Sequence, residues 1–250
     1  MEEDKFYNNI QKALDDLPDN FSILEEQIDV GIQMKYFEFA KLLKDMDISE
    51  ECFEAREELF DKEVDEERKK EILTAIAVYD DVKAYRTLEK FVDEAEGDLK
   101  QWGTLALQES RMLMHSSLLD EQQVFISTGL GGKGKKLRYF VVFLSVHENE
   151  MLSETQQKLL KDELIFELNK QEGVFESMDF MEGFSSALVM LPITAEIKDT
   201  FQNVINECNQ YGGFLREDMV ITNVKILSRG EIIQLIHQKK NKPGDALEEE

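Results

Sequence analysis

Cysteine is scarce in this chain of 250 residues. Cys52 and Cys208 lie far apart and lack CxxC spacing, so a disulfide framework is excluded and a reducing compartment is favoured. Long apolar runs are lacking as well, since the longest, 139–144, is much too short to cross a bilayer. The acidic N-terminus has no apolar run behind it and does not resemble a signal peptide. We therefore expect a cytoplasmic protein without membrane insertion.

Basic residues are few compared with acidic ones. The chain has 29 lysines and arginines against 53 aspartates and glutamates, a formal net charge of −24. Residues 1–120 alone hold 32 acids and 15 bases. Such a field repels free DNA, free RNA and anionic membranes. The excess acid either keeps the surface soluble or forms a face that recruits a basic partner.

Catalytic signatures are also lacking. His115, His147 and His237 lie in three separate predicted elements, without the HxH or HExxH spacing of a zinc site. There is no GxSxG motif and no GxGxxG motif between a strand and a helix. We therefore predict a non-enzymatic protein with no cofactor and no metal.

The first half of the chain has helical periodicity. Apolar residues recur at helical spacing within 20–47, and further helices are predicted over 5–17 and 64–116. Asp80 and Asp81 fit a short turn and N-cap inside the last range, and Asp98 fits a second cap. The acidic stretch 49–63 carries apolar residues that need a buried side. We therefore predict a helical domain over 1–120.

Within this domain, one predicted helix carries Leu88 and Phe91, and 98–100 and 105–107 lead into the next helix. On these residues, the stretch over about 64–119 resembles HEAT-like helical repeats. The resemblance implies a scaffold whose paired helices present a binding surface. An irregular helical bundle is the alternative. Trp102 and the methionines of 112–114 are expected in the core, or in a partner groove.

The second half alternates strands and helices, which predicts an α+β fold. Ser153 and Gln156 form a capping box that opens a helix, and Thr194 opens a second helix. The predicted strands are 123–128, 138–146, 174–182, 185–191 and 219–227. From 138 to 227 the order is β-α-β-β-α-β, which resembles a ferredoxin-like split βαβ fold with 123–128 as an added strand. This domain spans 121–238, with a short helix over 230–238 and a polar tail, predicted to be disordered, over 239–250.

The strand segment 139–144 is apolar on both of its faces. A ferredoxin-like sheet covers one face with its own helices, so the other face needs separate cover. The sequence predicts that either the helical domain or a second subunit, in a homodimer through the sheet, supplies it.

A Gly/Lys loop, residues 129–138, contains the candidate site. It matches a phosphate-binding loop up to Lys135, but Lys136 replaces the magnesium-binding Ser or Thr and a predicted strand follows instead of a helix. Nucleotide binding is therefore not predicted. No acid occurs between Glu121 and Glu148, so the loop is the one uncompensated basic patch evident in the sequence. Its predicted partner-binding residues are Lys133, Lys135, Lys136 and Arg138.

Three functions remain open for such a chain. The leading one is an adaptor or scaffold that binds another protein through the loop, which could also dock on the acidic half of its own chain. The alternative is an RNA- or ribonucleoprotein-associated factor whose loop contacts phosphates, although the RNP motifs of RRM domains are missing. A small-ligand regulatory domain is the further alternative, without residue-level support.

Overall fold

The chain forms a helical half followed by an α+β half. The computed structural model describes residues 21–44, 46, 48–119 and 124–240. The helical half contains strand β1 (Phe21–Ile23), a 3-10 turn (Arg56–Phe60) and helices α1 (Val30–Lys44), α2 (Ser49–Glu54), α3 (Glu66–Ala77), α4 (Val82–Glu94) and α5 (Gly97–Leu119). The predicted helix 5–17, the domain boundary at 120–121 and the tail from 241 lie outside the described residues.

Aspartate side chains begin three of these helices. Asp29 Oδ1 accepts hydrogen bonds from the backbone of Gly31 at 2.8 Å and of Ile32 at 3.2 Å, at the start of α1. Asp65 caps α3, and Asp81 caps α4 as predicted. These carboxylates satisfy N–H groups that would otherwise lack a partner and lie at the positive end of the helix dipole. Part of the acidic composition therefore has a structural use.

One apolar core joins the five helices. Helix α5 packs against α1, α3 and α4, and the four helices thus form a bundle. Trp102, buried as predicted, donates from Nε1 to Thr74 Oγ1 at 2.9 Å and meets the ring of Tyr36 edge to face at 5.4 Å. Further core residues come from every helix and from the 3-10 turn: Cys52, Leu59, Ile72, Leu88, Leu105 and others.

Two predictions for the first half are wrong. The helix predicted over 20–47 begins only at Val30, because Phe21–Ile23 forms β1 and pairs in parallel with β2 (Val124–Ile126). The partner strand lies about 100 residues away, and such long-range pairing overrides local helical preference. Asp98 is not a cap, since α5 starts at Gly97 and Asp98 lies in its first turn.

The α+β half confirms the predicted α+β fold class and chain order. Its elements are β3 (Gly132–Lys133), β4 (Lys136–Ser145), α6 (Glu154–Lys170), β5 (Val174–Met181), β6 (Phe184–Pro192), α7 (Ile197–Asn209), β7 (Leu215–Thr222) and α8 (Arg229–Lys240). The main sheet is antiparallel in the order β7-β4-β6-β5, and both arms of the predicted capping box are present at the start of α6. A β-α-β-β-α-β chain in this order is a ferredoxin-like split βαβ arrangement.

Three details of this half differ from the predictions. The strand added to the main sheet is β3, which pairs with the start of β4, whereas 124–126 pairs with β1. The last strand was predicted over 219–227, but β7 ends at Thr222, and Val224 and Ile226 beyond it are exposed to solvent. Helix α7 starts at Ile197 instead of following Thr194, because a turn closed by Ala195 N and the Pro192 carbonyl comes first.

Both faces of β4 are covered within the chain. Helices α6 and α7 pack on Val141 and Phe143. On the opposite face, Phe140 and its neighbours pack against Leu130 and Ile232, the latter from α8. The cover was predicted to come from the helical domain or a second subunit; on this face the C-terminal helix of the same chain supplies it instead. A homodimer through the sheet stays a prediction. Among the described helices, none is long and apolar enough to span a membrane.

Neighbouring isoleucines of α8 provide a test of this cover. Ile232 is 2% exposed and Ile233 is 38% exposed. Ile232→Ala should lower the free energy of unfolding by about 2–4 kcal/mol, because it leaves a cavity against the sheet. Ile233→Ala removes the same atoms from a more solvated position and should cost roughly 1 kcal/mol or less. Urea unfolding followed by circular dichroism measures both, and equal small losses would contradict the assigned packing.

Candidate functional site

The Gly/Lys loop is a β-hairpin that backbone contacts hold in place. Leu130 N donates to the Asn223 carbonyl and Gly132 N to the Leu24 carbonyl, both at 2.9 Å. A Cβ atom at Gly129 would lie 1.7 Å from the carbonyl oxygen of Val224, so only glycine allows this close approach. The hairpin is therefore fixed between the end of β7 and the chain after β1. Strand β4 follows it directly, so the loop has no helix N-terminus to bind phosphate.

Arg138, one of the four predicted binding residues, is bonded inside the protein. Its Nε and Nη2 donate to the two carboxylate oxygens of Glu176 at 2.6 and 2.9 Å, and its Nη1 donates to the Leu130 carbonyl at 2.7 Å. The side chain is 15% exposed. A two-pronged guanidinium–carboxylate contact of this kind is strong and directional. Arg138 therefore clamps the hairpin to β5 and is not presented to a partner.

The three lysines of the loop are differently placed. Lys133 and Lys135 are exposed and Lys136 is half-buried. Within the described ranges, no carboxylate forms an ion pair with any of the three. The ammonium of Lys135 lies 5.3 Å from the ring centre of Phe21, a cation–π contact. The structure thus brings together three cations of the predicted site.

Among the described residues, the loop contacts the acidic half of the chain through backbone atoms rather than through ion pairs of its lysine side chains. A Cβ atom at Gly131 would lie 2.6 Å from the carbonyl oxygens of both Glu25 and Glu26. Their carboxylates do not pair with the loop lysines. The contact therefore fixes the hairpin without using up its charge.

A groove of about 420 Å³ lies beside the hairpin, between β1 and α5. Both signs of charge line it, together with apolar groups: Phe21, Glu25, Glu26, Arg111, Met112 and His115. One methionine of the predicted Met-rich segment therefore faces a surface groove. The mixed lining suits a polar protein segment better than a purely anionic ligand.

A second cavity, of about 580 Å³, contains a carboxylate that sequence reasoning missed. Glu109 lines it together with residues of α1 and α3, and its Oε2 accepts from the hydroxyl of Tyr36 at 2.6 Å. Burial raises the pKa of Glu109, while the Tyr36 hydrogen bond and the charge of Lys44 oppose this. Burial also raises the pKa of Tyr36 well above its usual value. Among so many acids, only the tertiary fold distinguishes Glu109.

Reactive thiols and metal sites are not evident in the described part of the chain. Burial raises the pKa of Cys52, and it raises that of Cys208 to about 12. Both cysteines are buried and free, so they are poor nucleophiles at neutral pH. No group of three His, Cys, Asp or Glu residues in the described ranges could hold a metal ion.

Comparisons with known proteins assign no family. No protein-family model matches the chain, and no curated protein matches it. Chains of solved structures do match, among them the crystal structure of a "putative transposase" from Deinococcus radiodurans R1. Its sequence is 16% identical, its TM-score is 0.36, and the match covers 43% of this chain and 94% of that one. A likeness at this TM-score carries no argument about fold or function.

The Arg138–Glu176 contact can be measured with a double-mutant cycle. Alanine substitutions at both positions, singly and together, should give a coupling energy of about 1–2 kcal/mol, because the bidentate pair is largely shielded from water. The exposed pair Arg86–Glu89 serves as the control and should give a much smaller coupling energy, because solvent screens it. Equal coupling energies from urea unfolding would show that Arg138 does not clamp the hairpin.

The half-buried Glu109 predicts a pH-dependent stability difference. Its raised pKa means that the folded state binds this proton more tightly than the unfolded chain does, so stability present at low pH is lost as the pH rises through the folded pKa. Glu109→Gln stays neutral and should therefore gain stability relative to wild type as the pH rises above about 4.5, the ordinary pKa of this carboxyl group. Glu94→Gln, an exposed control with the same charge change, should show a smaller trend. Thermal unfolding across this range measures both, and parallel curves would contradict the burial assigned to Glu109.

Proposed function

We propose that the protein is a non-enzymatic adaptor or scaffold that docks on an acidic surface of another protein through Lys133, Lys135 and Lys136. One observation supports this most directly. The three cations lie on a hairpin with a fixed backbone, and no described carboxylate neutralises them. In a chain of net charge −24, a cluster of three cations with which no described carboxylate pairs is not expected from composition alone.

The fixed backbone matters for binding. A loop that is already ordered loses less conformational entropy when a partner binds, so more of the interaction energy appears as affinity. Each exposed ion pair contributes only roughly 0–1 kcal/mol, so the lysines act together and mainly increase the rate of association. The resulting complex is sensitive to salt.

A protein partner is favoured over RNA in this proposal. The carboxylates of Glu25 and Glu26 line the groove beside the hairpin, and the chain as a whole is strongly acidic. A polyanion that follows the hairpin meets this negative field, whereas a folded partner can present acid to the lysines and base to the glutamates. The two buried, free thiols support a reducing compartment, and the proposed location is the cytoplasm.

Reversal of the loop charges tests the proposal. The variant Lys133→Glu, Lys135→Glu, Lys136→Glu should lose salt-sensitive partners in affinity purification from native cells, followed by mass spectrometry. The control reverses three exposed lysines of α6 and α7, Lys158, Lys161 and Lys198, and makes the same change in net charge. The control should keep the partners.

The outcomes separate the alternatives. Loss of the same proteins from both variants would show a general charge effect and contradict docking at the hairpin. Loss of the captured proteins after RNase treatment of the wild-type complex would identify RNA as the ligand of the lysines instead.

A further inference from the structure

A second cationic surface surrounds α4 in the helical half, on elements separate from the Gly/Lys loop. Lys83, Arg86 and Lys90 are spaced i, i+3 and i+7, which places them on one exposed face of the helix. Together with Arg56 of the 3-10 turn they line an open groove of about 340 Å³. Phe60 and Val82 supply its apolar lining.

Aromatic rings position two of these cations. The ammonium of Lys90 lies 4.1 Å from the ring centre of Phe60. The guanidinium of Arg56 lies 4.5 Å from the ring centre of Phe53 and donates to the Phe53 carbonyl at 2.7 Å. Cation–π contacts hold a charge in place without neutralising it. These cations therefore keep their charge available for an anionic group.

Carboxylates compensate the groove only in part. Glu89 accepts from Arg86 Nη1 at 2.5 Å, and Glu57 is the one acid among the lining residues. Four cations against these two acids leave an excess of two positive charges. Elsewhere the same half is strongly acidic, with 32 acids and 15 bases in residues 1–120. The local reversal of sign marks this surface as a site for an anionic partner.

The apolar lining narrows the choice of partner. Val82 is 60% exposed at the edge of the groove. Burying such a group against an apolar side chain of a partner stabilises a complex, and a phosphate backbone offers no such group. A groove of this size accommodates one or two side chains rather than a nucleic acid duplex.

We propose that the α4 groove binds an acidic segment of a partner protein that carries an apolar residue. The acids of the segment lie on Lys83, Arg86 and Lys90, and the apolar side chain packs on Phe60 and Val82. The inference rests on the proposed function in one respect, that the chain binds other proteins. The surface is distinct from the Gly/Lys loop and can bind independently of it.

Fluorescence anisotropy with the full chain tests the inference. The probe is a short fluorescein-labelled peptide of aspartates and glutamates around one leucine, at low salt. Lys83→Glu, Arg86→Glu, Lys90→Glu should weaken binding by about tenfold or more. Lys133→Glu, Lys135→Glu, Lys136→Glu makes the same charge change at the Gly/Lys loop, adds the same long-range repulsion, and should weaken binding severalfold less than the α4 reversal does. A peptide with serine in place of leucine should bind about fivefold more weakly.

A further variant controls for the possibility that the charge-reversed protein binds weakly because it is unfolded. Lys83→Gln, Arg86→Gln, Lys90→Gln removes the charges without adding acid, and its far-UV circular dichroism should match that of wild type. Its affinity for the peptide should lie between those of wild type and the charge-reversed variant. Unchanged affinity in this folded variant would overturn the inference.

Three other results would also overturn the inference. These are no saturable binding by wild type, equal losses in the two charge-reversed variants, and tighter binding of a single-stranded RNA of equal charge through the same cations. Such a failure leaves partner capture through the Gly/Lys loop untouched. If partner capture does not depend on the loop lysines while the peptide still binds, the proposed function alone is contradicted.

Discussion

Burial of β4 on both of its faces is the constraint on which the rest of the structure depends. The strand pairs with β6 on one side and with β3 and β7 on the other, so it is the centre of the sheet. Its apolar side chains require α6 and α7 above and α8 below. Leu130 belongs to the lower layer, so the chain entering β4 must form the hairpin that carries the lysines. The same hairpin contacts the chain after β1 and thereby links the sheet to the helical half.

The acidic and basic residues of the chain have different roles. Aspartates cap helices, and a large share of the remaining acid is solvated, which favours solubility and repels polyanions. The positions of the few cations therefore indicate binding surfaces better than the positions of the many acids do. Some are bonded internally, as Arg138 is, and others lie in two separate clusters at the Gly/Lys loop and the α4 groove. Two cationic surfaces on an acidic body are compatible with a protein that joins acidic partners.

Much of the fold could be predicted from local signals. The Asp81 cap, the Ser153 capping box and the succession of strands and helices along the second half each depend on residues close together in sequence. What sequence reasoning missed depends on distant contacts. Strand β1 exists because 124–126 pairs with it, and Arg138 is withdrawn from the surface because Glu176 of β5 accepts its hydrogen bonds. The α4 groove was missed because its three helical cations share α4 with Glu89, Asp93 and Glu94, and the fourth cation comes from the 3-10 turn.

The central claim is that a fixed hairpin presents the lysines, and amide hydrogen exchange tests it most directly. The amides of Leu130 and Gly132 donate to carbonyls of distant segments, so their exchange should be as slow as that of amides within β4. The amide of Lys135, at the tip, should exchange rapidly by comparison. Fast exchange at Leu130 and Gly132 would show that the loop is a loose connection, and the account of a preorganised docking surface would then be contradicted.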